Sequence, residues 1–390
     1  MKDFEFVSPT HFVFGRKAET KVGETLARRG AKKVLLHYGG GSAEKSGLLA
    51  QVREALFEAS IEYIELGGVR PNPEISLVRE GVALCKKHRI DWVLAVGGGS
   101  VIDSAKAIAL GAPYAGDVWD FFVTKQQAHD VLPIATILTI PAAGSEASKN
   151  TVISNDEQGL KTGYGNDALR PELAFMNPKL TTTLPQYQTA AGLTDMYCHL
   201  LERFFCNAGS VPVTDNLCLS LMKTVIEEAP RVLEDPKNYE ARANIMWAGM
   251  LCHQGLAGLG RNEDWTSHAL EHELSALDTS ITHGAGLAVL FPAWMAYVCS
   301  EEPARFVLYG SQVFGLIPSG NDLADAHCAI ECTREFFASL EMPQNLDEFG
   351  ITEEDVESML ETLVINKGEA FGSFKKLTIA DARKIYLLAL

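Results

Sequence analysis

Asp91-Trp92-Val93-Leu94-Ala95-Val96-Gly97-Gly98-Gly99-Ser100-Val101-Ile102-Asp103-Ser104-Ala105-Lys106 is the stretch that decides the fold. Its apolar run, Trp92 to Val96, is short, unbroken and stopped by glycines, which suits a strand covered on both faces. Val101 to Leu110 then resumes a helical pattern. A strand that runs through glycines straight into a helix is half of a βαβ unit. The glycines let the backbone turn tightly and approach a ligand closely. The helix N-terminus offers unpaired N–H groups and a positive dipole end, which suits a pyrophosphate, and Ser100 is a candidate cap.

The same grammar repeats on either side. Lys33-Val34-Leu35-Leu36-His37-Tyr38 reads as a buried strand ending at Gly39-Gly40-Gly41-Ser42, and a helical pattern follows through Leu48, Val52, Leu56 and Phe57. Glu62 to Leu66 reads as a strand, Pro73 to His88 as a helix and Ile134 to Ile140 as a further strand. That last strand leads into Thr139-Ile140-Pro141-Ala142-Ala143-Gly144-Ser145-Glu146, a cluster of small and hydroxyl residues. Strands alternating with helices mean a parallel sheet with helices on its faces. Neither Gly-rich loop has the G-x-G-x-x-G spacing of the orthodox dinucleotide fingerprint.

After Thr183-Leu184-Pro185 the texture changes and helical patterns dominate: Ala190 to Asn207, Thr214 to Leu233, Tyr239 to Leu256, Trp265 to Ala276 and Gly286 to Cys299. The expectation is an α/β, Rossmann-like parallel-sheet domain over residues 1–185 and an all-α, metal-binding domain over 186–390.

Composition excludes several classes. The 390 residues are 47% hydrophobic and 22% charged, an ordinary globular balance, with a formal net charge of -16 and no long acidic block. That charge argues against nucleic acid or an anionic membrane as partner. The start, Met1-Lys2-Asp3-Phe4-Glu5-Phe6, lacks a signal-peptide pattern, and no run of about 18 uninterrupted apolar residues suggests a membrane span. The eight cysteines contain no CxxC pair and read as buried thiols in a reducing cytoplasm.

Asp195 and His199 lie four apart in a helical pattern, so one face carries both. His268 and His272 repeat the spacing, and His283 opens the turn His283-Gly284-Ala285-Gly286. One carboxylate with imidazoles suits a divalent transition metal, Fe2+ or Zn2+, and does not suit calcium, which wants more oxygens. His11, His37, His88, His129, His253 and His327 read as structural or solvent-facing.

Together these motifs resemble the iron-containing alcohol dehydrogenases: Pro71-Asn72-Pro73, the Asp91 to Lys106 stretch, Pro141 to Glu146, the Asp195/His199 pair, the His268/His272 segment and His283-Gly284, in that order along nearly the whole chain. The resemblance is nearest to the NADPH-linked butanol dehydrogenase and broad aldehyde reductase branch. It implies a dehydroquinate synthase-like architecture and hydride transfer between NADP(H) and a primary alcohol or aldehyde. It implies metal ligands Asp195, His199, His268 and His283, with His272 beside the metal as a proton relay. It implies cofactor contacts from Gly98, Gly99, Ser100 and Asp103, with Asn72, Thr139, Ser145 and Lys161 lining the rest of the site. It also implies a homodimer.

Two positions depart from the branch, Ala143 where a Thr is usual and Ser148 where an Asn is usual. NAD-preferring relatives carry an acid in the first Gly-rich loop. Here Gly39, Gly40 and Ser42 offer none and Lys45 lies just beyond, so NADP(H) is expected over NAD(H). A glycerol dehydrogenase, another polyol dehydrogenase or a dehydroquinate synthase-type lyase on the same architecture would carry a different ligand set. A metal hydrolase or a non-catalytic nucleotide-binding protein would leave the Gly-rich loops or the metal constellation without a use.

Overall fold

The computed structural model describes residues 1–155, 157–207 and 209–390. The chain divides into two compact units, one of Val7–Leu184 with Lys237–Met246, the other of Met1–Phe6, Pro185–Pro236 and Trp247–Leu390.

The first unit is built on a six-stranded sheet whose pairs are all parallel. Its strands are β1 (His11–Phe14), β2 (Lys33–Gly39), β3 (Glu62–Val69), β4 (Trp92–Gly97), β5 (Ile134–Leu138) and β8 (Leu173–Met176), in the order β1-β8-β5-β4-β2-β3. Every residue of β4, β5 and β8 is buried, as a strand covered on both faces requires. The chain passes from β2 outward to β3, then back across β2 to β4 and on to β5. The direction of winding therefore reverses between β2 and β4, and ligands of open α/β sheets bind outside the carboxyl ends of strands at such a reversal. Both Gly-rich loops leave from those two strands.

A separate antiparallel hairpin, β6 (Asn150–Asn155) with β7 (Leu160–Gly165), lies beside the Gly99–Gly111 helix. Val152 N–H donates to Asp103 Oδ2 at 3.0 Å, and Thr151 Oγ1 donates to Asp103 O at 2.8 Å.

Among the described residues of the second unit, the regular structure is helical apart from the two-residue strands Ala370–Phe371 and Leu377–Thr378. The Gln186–Phe204 helix is buried continuously from Thr189 to Phe204. The His283–Val298 helix packs against it and against the Thr266–Leu277 helix. His283–Glu301 is the one stretch among the described residues apolar and long enough to cross a membrane, and 78% of its apolar window is buried inside the protein.

Several expectations are corrected. The helix after Gly97 runs Gly99–Gly111 with Gly98 as its N-cap, so Ser100 sits inside the first turn and does not cap. His283 is the first residue of a helix, not part of a turn before one, because Thr282 turns extended and its carbonyl accepts from both Ala285 N–H and Gly286 N–H. The helix expected over Ala190–Asn207 spans Gln186–Phe204, and the strand expected to Ile140 stops at Leu138. Residues 1–6 and 237–246 each pack with the unit opposite to the one their position in the chain suggests.

Candidate metal centre and cofactor loops

In the second unit, three helices bring the expected ligands together. The Gln186–Phe204 helix carries Asp195, His199 and Glu202 at successive turns of one face. The Thr266–Leu277 helix carries His268, Glu271 and His272, and the third helix begins with His283. Ligand atoms of Asp195, His199 and His268, all buried, lie within 4.8 Å of one another. The His199 and His268 rings are 4.5 Å apart between centroids, and His283 lies 5.3 Å from His268. His283 Nε2 stands 3.9 Å from Asp195 Oδ1. His283 also belongs to a second group, with Glu271 and His272, whose ligand atoms lie within 4.8 Å of one another. All four expected ligands are therefore neighbours, while His272 lies 5.8 Å from His283 between ring centroids and groups with Glu271 and His283, outside the Asp195, His199 and His268 group.

Gly284 explains how His283 comes so close. A Cβ there would fall 2.1 Å from the Ala191 carbonyl oxygen, so only glycine lets this helix start against the helix that carries Asp195.

Each imidazole is held through Nδ1. His268 Nδ1 lies 3.0 Å from Glu202 Oε1, an oxygen that also accepts the His268 backbone N–H at 3.0 Å, while Trp265 N–H donates to Glu202 Oε2 at 2.8 Å. His199 Nδ1 lies 2.8 Å from the Asp195 carbonyl oxygen. His283 Nδ1 is bonded to Glu271. Tying Nδ1–H to an acceptor leaves the Nε2 lone pair for a metal, as is usual where histidine ligates one. His268 Nε2 is buried and has no hydrogen-bond partner among the described residues. Burial, reinforced by the neighbouring imidazoles of His199, His283, His272 and His253, holds His268 well below the usual histidine range. Burial likewise pushes Glu202 well above the carboxylate range. A neutral imidazole with an orphaned lone pair, beside buried carboxylates, is a donor set that fits a divalent cation.

Glu202 and Glu271 are functional candidates the sequence reading passed over. Each sits three residues after a metal-site histidine, on the same helix face, and both are completely buried. That spacing was visible; the partner across the helix pair was not. His253, taken as structural, lies with its ring 4.5 Å from His199, and its Nδ1 is 2.7 Å from the Arg203 guanidinium. Trp265 lies 5.0 Å from His268 and 5.7 Å from His199, with its backbone in the left-handed region at φ 70. Such strain in a bulky residue is held only where surrounding contacts over-determine it.

In the first unit, most of the expected cofactor residues follow the carboxyl ends of β2, β4 and β5, while Asn72 follows β3 and Lys161 lies in β7. Gly39 ends β2, and Gly40 has open space where a Cβ would stand, as does Gly99. Ser42, exposed, begins a short turn of helix that ends at Lys45, also exposed. A Cβ on Gly98 would meet the Ile140 side chain at 3.0 Å. Thr139 N–H donates to Gly97 O at 3.0 Å, so the loop after β5 runs beside the one after β4. Asn72 is buried with φ 55, next to Pro73, whose carbonyl accepts Ser154 N–H at 2.9 Å. Ser154 in turn pairs with Lys161 across the hairpin. Ser145 Oγ donates to Asp103 Oδ1 at 2.6 Å, so these two hold each other as well as the loop.

Beneath them lies Lys106, completely buried. Its Nζ donates to Ser145 Oγ at 2.9 Å and Asn150 O at 2.8 Å, and its third N–H is shared between Ser148 O at 2.9 Å and Ser148 Oγ at 3.2 Å. Burial lowers its pKa to about 8, and Asp103 and Glu146 resist the fall. Burial raises Glu146 to about 7.

Residues 9–178 match the family model described as iron-containing alcohol dehydrogenase, and residues 189–390 match that of the C-terminal region of the same family. The chain belongs to the iron-containing alcohol dehydrogenase family. It is 40% identical over 387 residues to NADH-dependent butanol dehydrogenase A of Clostridium acetobutylicum, covering 99% of each chain. It is 33% identical to the NADPH-dependent aldehyde reductase YqhD of Escherichia coli, again with 99% of both covered. The crystal structure of NADH-dependent butanol dehydrogenase A from Thermotoga maritima superposes with a TM-score of 0.96 at 39% identity, over 100% of this chain and 99% of that one. Membership of this family makes the chain an oxidoreductase that uses a nicotinamide cofactor and a metal.

Proposed function

We propose that this dehydrogenase transfers hydride between NADP(H) and a primary alcohol or its aldehyde, with Fe2+ or Zn2+ held by Asp195, His199, His268 and His283. The observation that carries the metal assignment is the buried, unpartnered Nε2 of His268, whose Nδ1 is fixed by Glu202. A divalent ion there supplies a Lewis acid for the alcohol or carbonyl oxygen, and the nicotinamide supplies the hydride chemistry.

The chain's own residues supply holding and proton movement. Glu202 and the Asp195 carbonyl keep two imidazoles in the tautomer with Nε2 free. His272, half-buried and 5.8 Å from His283 between ring centroids, carries the alcohol proton toward solvent, which an imidazole can do near neutral pH. Gly39, Gly40, Gly98, Gly99 and Ser100 cradle the pyrophosphate, and Asn72, Asp103, Thr139, Ser145 and Lys161 line the rest of the cofactor site. Ser42 and Lys45 favour a 2′-phosphate, since no acid stands between Gly39 and Ser42 to repel it. The names of the relatives include both NADH and NADPH users, so turnover with each cofactor decides this point. The eight cysteines are all free, which fits a reducing cytoplasm, and a homodimer is the proposed assembly.

His268→Ala should lose metal and turnover together. His272→Ala should keep the metal and slow kcat by about 100-fold or more, the scale of general acid–base assistance. A fully active, metal-free His268→Ala protein would defeat the assignment.

A further inference from the structure

We infer that Glu271 is a positioning residue of the metal centre, its buried carboxylate holding His283 through Nδ1 so that Nε2 turns toward Asp195. The inference rests on the metal-centre reading above and adds to it a residue outside the ligand set.

Four observations converge. Glu271 is completely buried, one helical turn beyond His268, and bonds His283 Nδ1 through Oε2. Its other oxygen accepts the hydroxyl of Ser275, one turn further on, so the carboxylate is anchored from its own helix. The facing helix makes room for it: a Cβ on Gly286 would fall 2.9 Å from Glu271 Cγ and 3.2 Å from Oε1. Finally, the His283 side chain is 26% exposed, against 5% for His199 and 7% for His268, so packing alone restrains it least.

The arrangement repeats, on a second helix pair, what Glu202 does for His268. A carboxylate on Nδ1–H selects the tautomer, fixes the ring plane and raises the basicity of Nε2, and loss of such a partner commonly costs about 10–100-fold in metal affinity. His283 is the ligand with most to gain, because a ring with one face open to water would otherwise sample other rotamers and the other tautomer.

The test uses the full-length protein in two states. In the metal-free state, side-chain 15N NMR reads the tautomer of His283. In the metal-bound state, competition with a chelator reads the Zn2+ dissociation constant. Wild type should show Nδ1–H at His283. Glu271→Leu, similar in size but without an acceptor, should lose that preference and bind Zn2+ about 10–100-fold more weakly. Glu271→Gln keeps an acceptor oxygen and should fall between the two, a graded rescue that a merely space-filling role would not produce. If Glu271→Leu does not fold, Glu271→Gln and Ser275→Ala decide, both being expected to bind Zn2+ measurably more weakly than wild type.

Zn2+ affinity and His283 tautomer unchanged in the folded variants overturn the inference while leaving the metal centre intact. His268→Ala is the control for the underlying reading. If it binds Zn2+ as tightly as wild type, the metal centre itself is wrong and this inference falls with it.

Discussion

Removing the ammonium of Lys106 tests how the cofactor loop is held. Lys106→Met keeps most of the stem and takes away an ammonium whose three N–H groups serve Ser145 Oγ, Asn150 O and, between them, the O and Oγ of Ser148. Hydrogen bonds from a charged donor contribute about 1.5 kcal/mol each at the low end, which makes the gross loss about 4.5 kcal/mol. Against this stands the cost of burying the charge. The fall in pKa from 10.5 to about 8 corresponds to about 3 kcal/mol, which the substitution relieves. The net loss is then about 1–2 kcal/mol. For a unit of this size that lowers the melting temperature by roughly 3–6 °C. Thermal unfolding followed by circular dichroism reads it, and kinetics add a second readout. Because Ser145 and Asp103 lose their anchor, KM for the cofactor should rise while Zn2+ affinity stays at the wild-type value. An unchanged melting temperature, or a loss of Zn2+ binding with cofactor KM intact, would refute the reasoning.

Gly284→Ala should separate His283 from Asp195, because its Cβ would overlap the Ala191 carbonyl at 2.1 Å; chelator competition should show at least a tenfold weaker Zn2+ site, with a stability loss of about 1–3 kcal/mol from overpacking. His37 is buried between Leu66 O and Ser104 Oγ, each at 2.8 Å, and burial lowers its pKa from 6.5 to about 4. The unfolded chain binds this proton first, so the stability contribution of His37 is complete above pH 6.5 and is lost as pH falls toward 4, by about 3 kcal/mol in all. Denaturation of wild type and His37→Gln at several pH values should show their difference shrinking across that window; a constant difference contradicts the assignment. Ser42→Ala combined with Lys45→Ala should raise KM for NADPH several-fold and leave KM for NADH nearly unchanged, and an equal effect on both would remove these residues from 2′-phosphate recognition.

The sheet could be read where burial left a continuous signature. β4 is six buried residues, five of them apolar in an unbroken run closed by glycine. β1 and β8 escaped notice because four residues are too few to show a period; β1 is an edge strand with exposed ends. The β6–β7 hairpin was hidden for a different reason. Its residues Asn150, Thr151, Ser154 and Asn155 are polar, and the strand is anchored by partners far earlier in the chain, Asp103 for Thr151 and Val152, Lys106 for Asn150 and Pro73 for Ser154. Helix starts moved by several residues where an extended residue, such as Pro185 or Thr282, caps without a side-chain bond. In the metal centre, a four-residue spacing on a helix exposes Asp195 with His199 to anyone reading the sequence. Glu202 and Glu271 stand three residues after His199 and His268, a spacing that by itself does not tell a buried partner from a solvated face. A glutamate in a helix is ordinarily a solvated residue, and only the approach of a second helix turns it into a buried partner of an imidazole, as the His268 helix does for Glu202 and the His283 helix, given room by Gly286, does for Glu271.

The measurement that bears most directly on the central claim is an anomalous difference map from crystals of the protein soaked in Zn2+. The account predicts one dominant peak about 2.0–2.2 Å from Nε2 of His199, His268 and His283 and from a carboxylate oxygen of Asp195. A peak held instead by Glu271, His272 and His283, or no peak among these three helices, would contradict it.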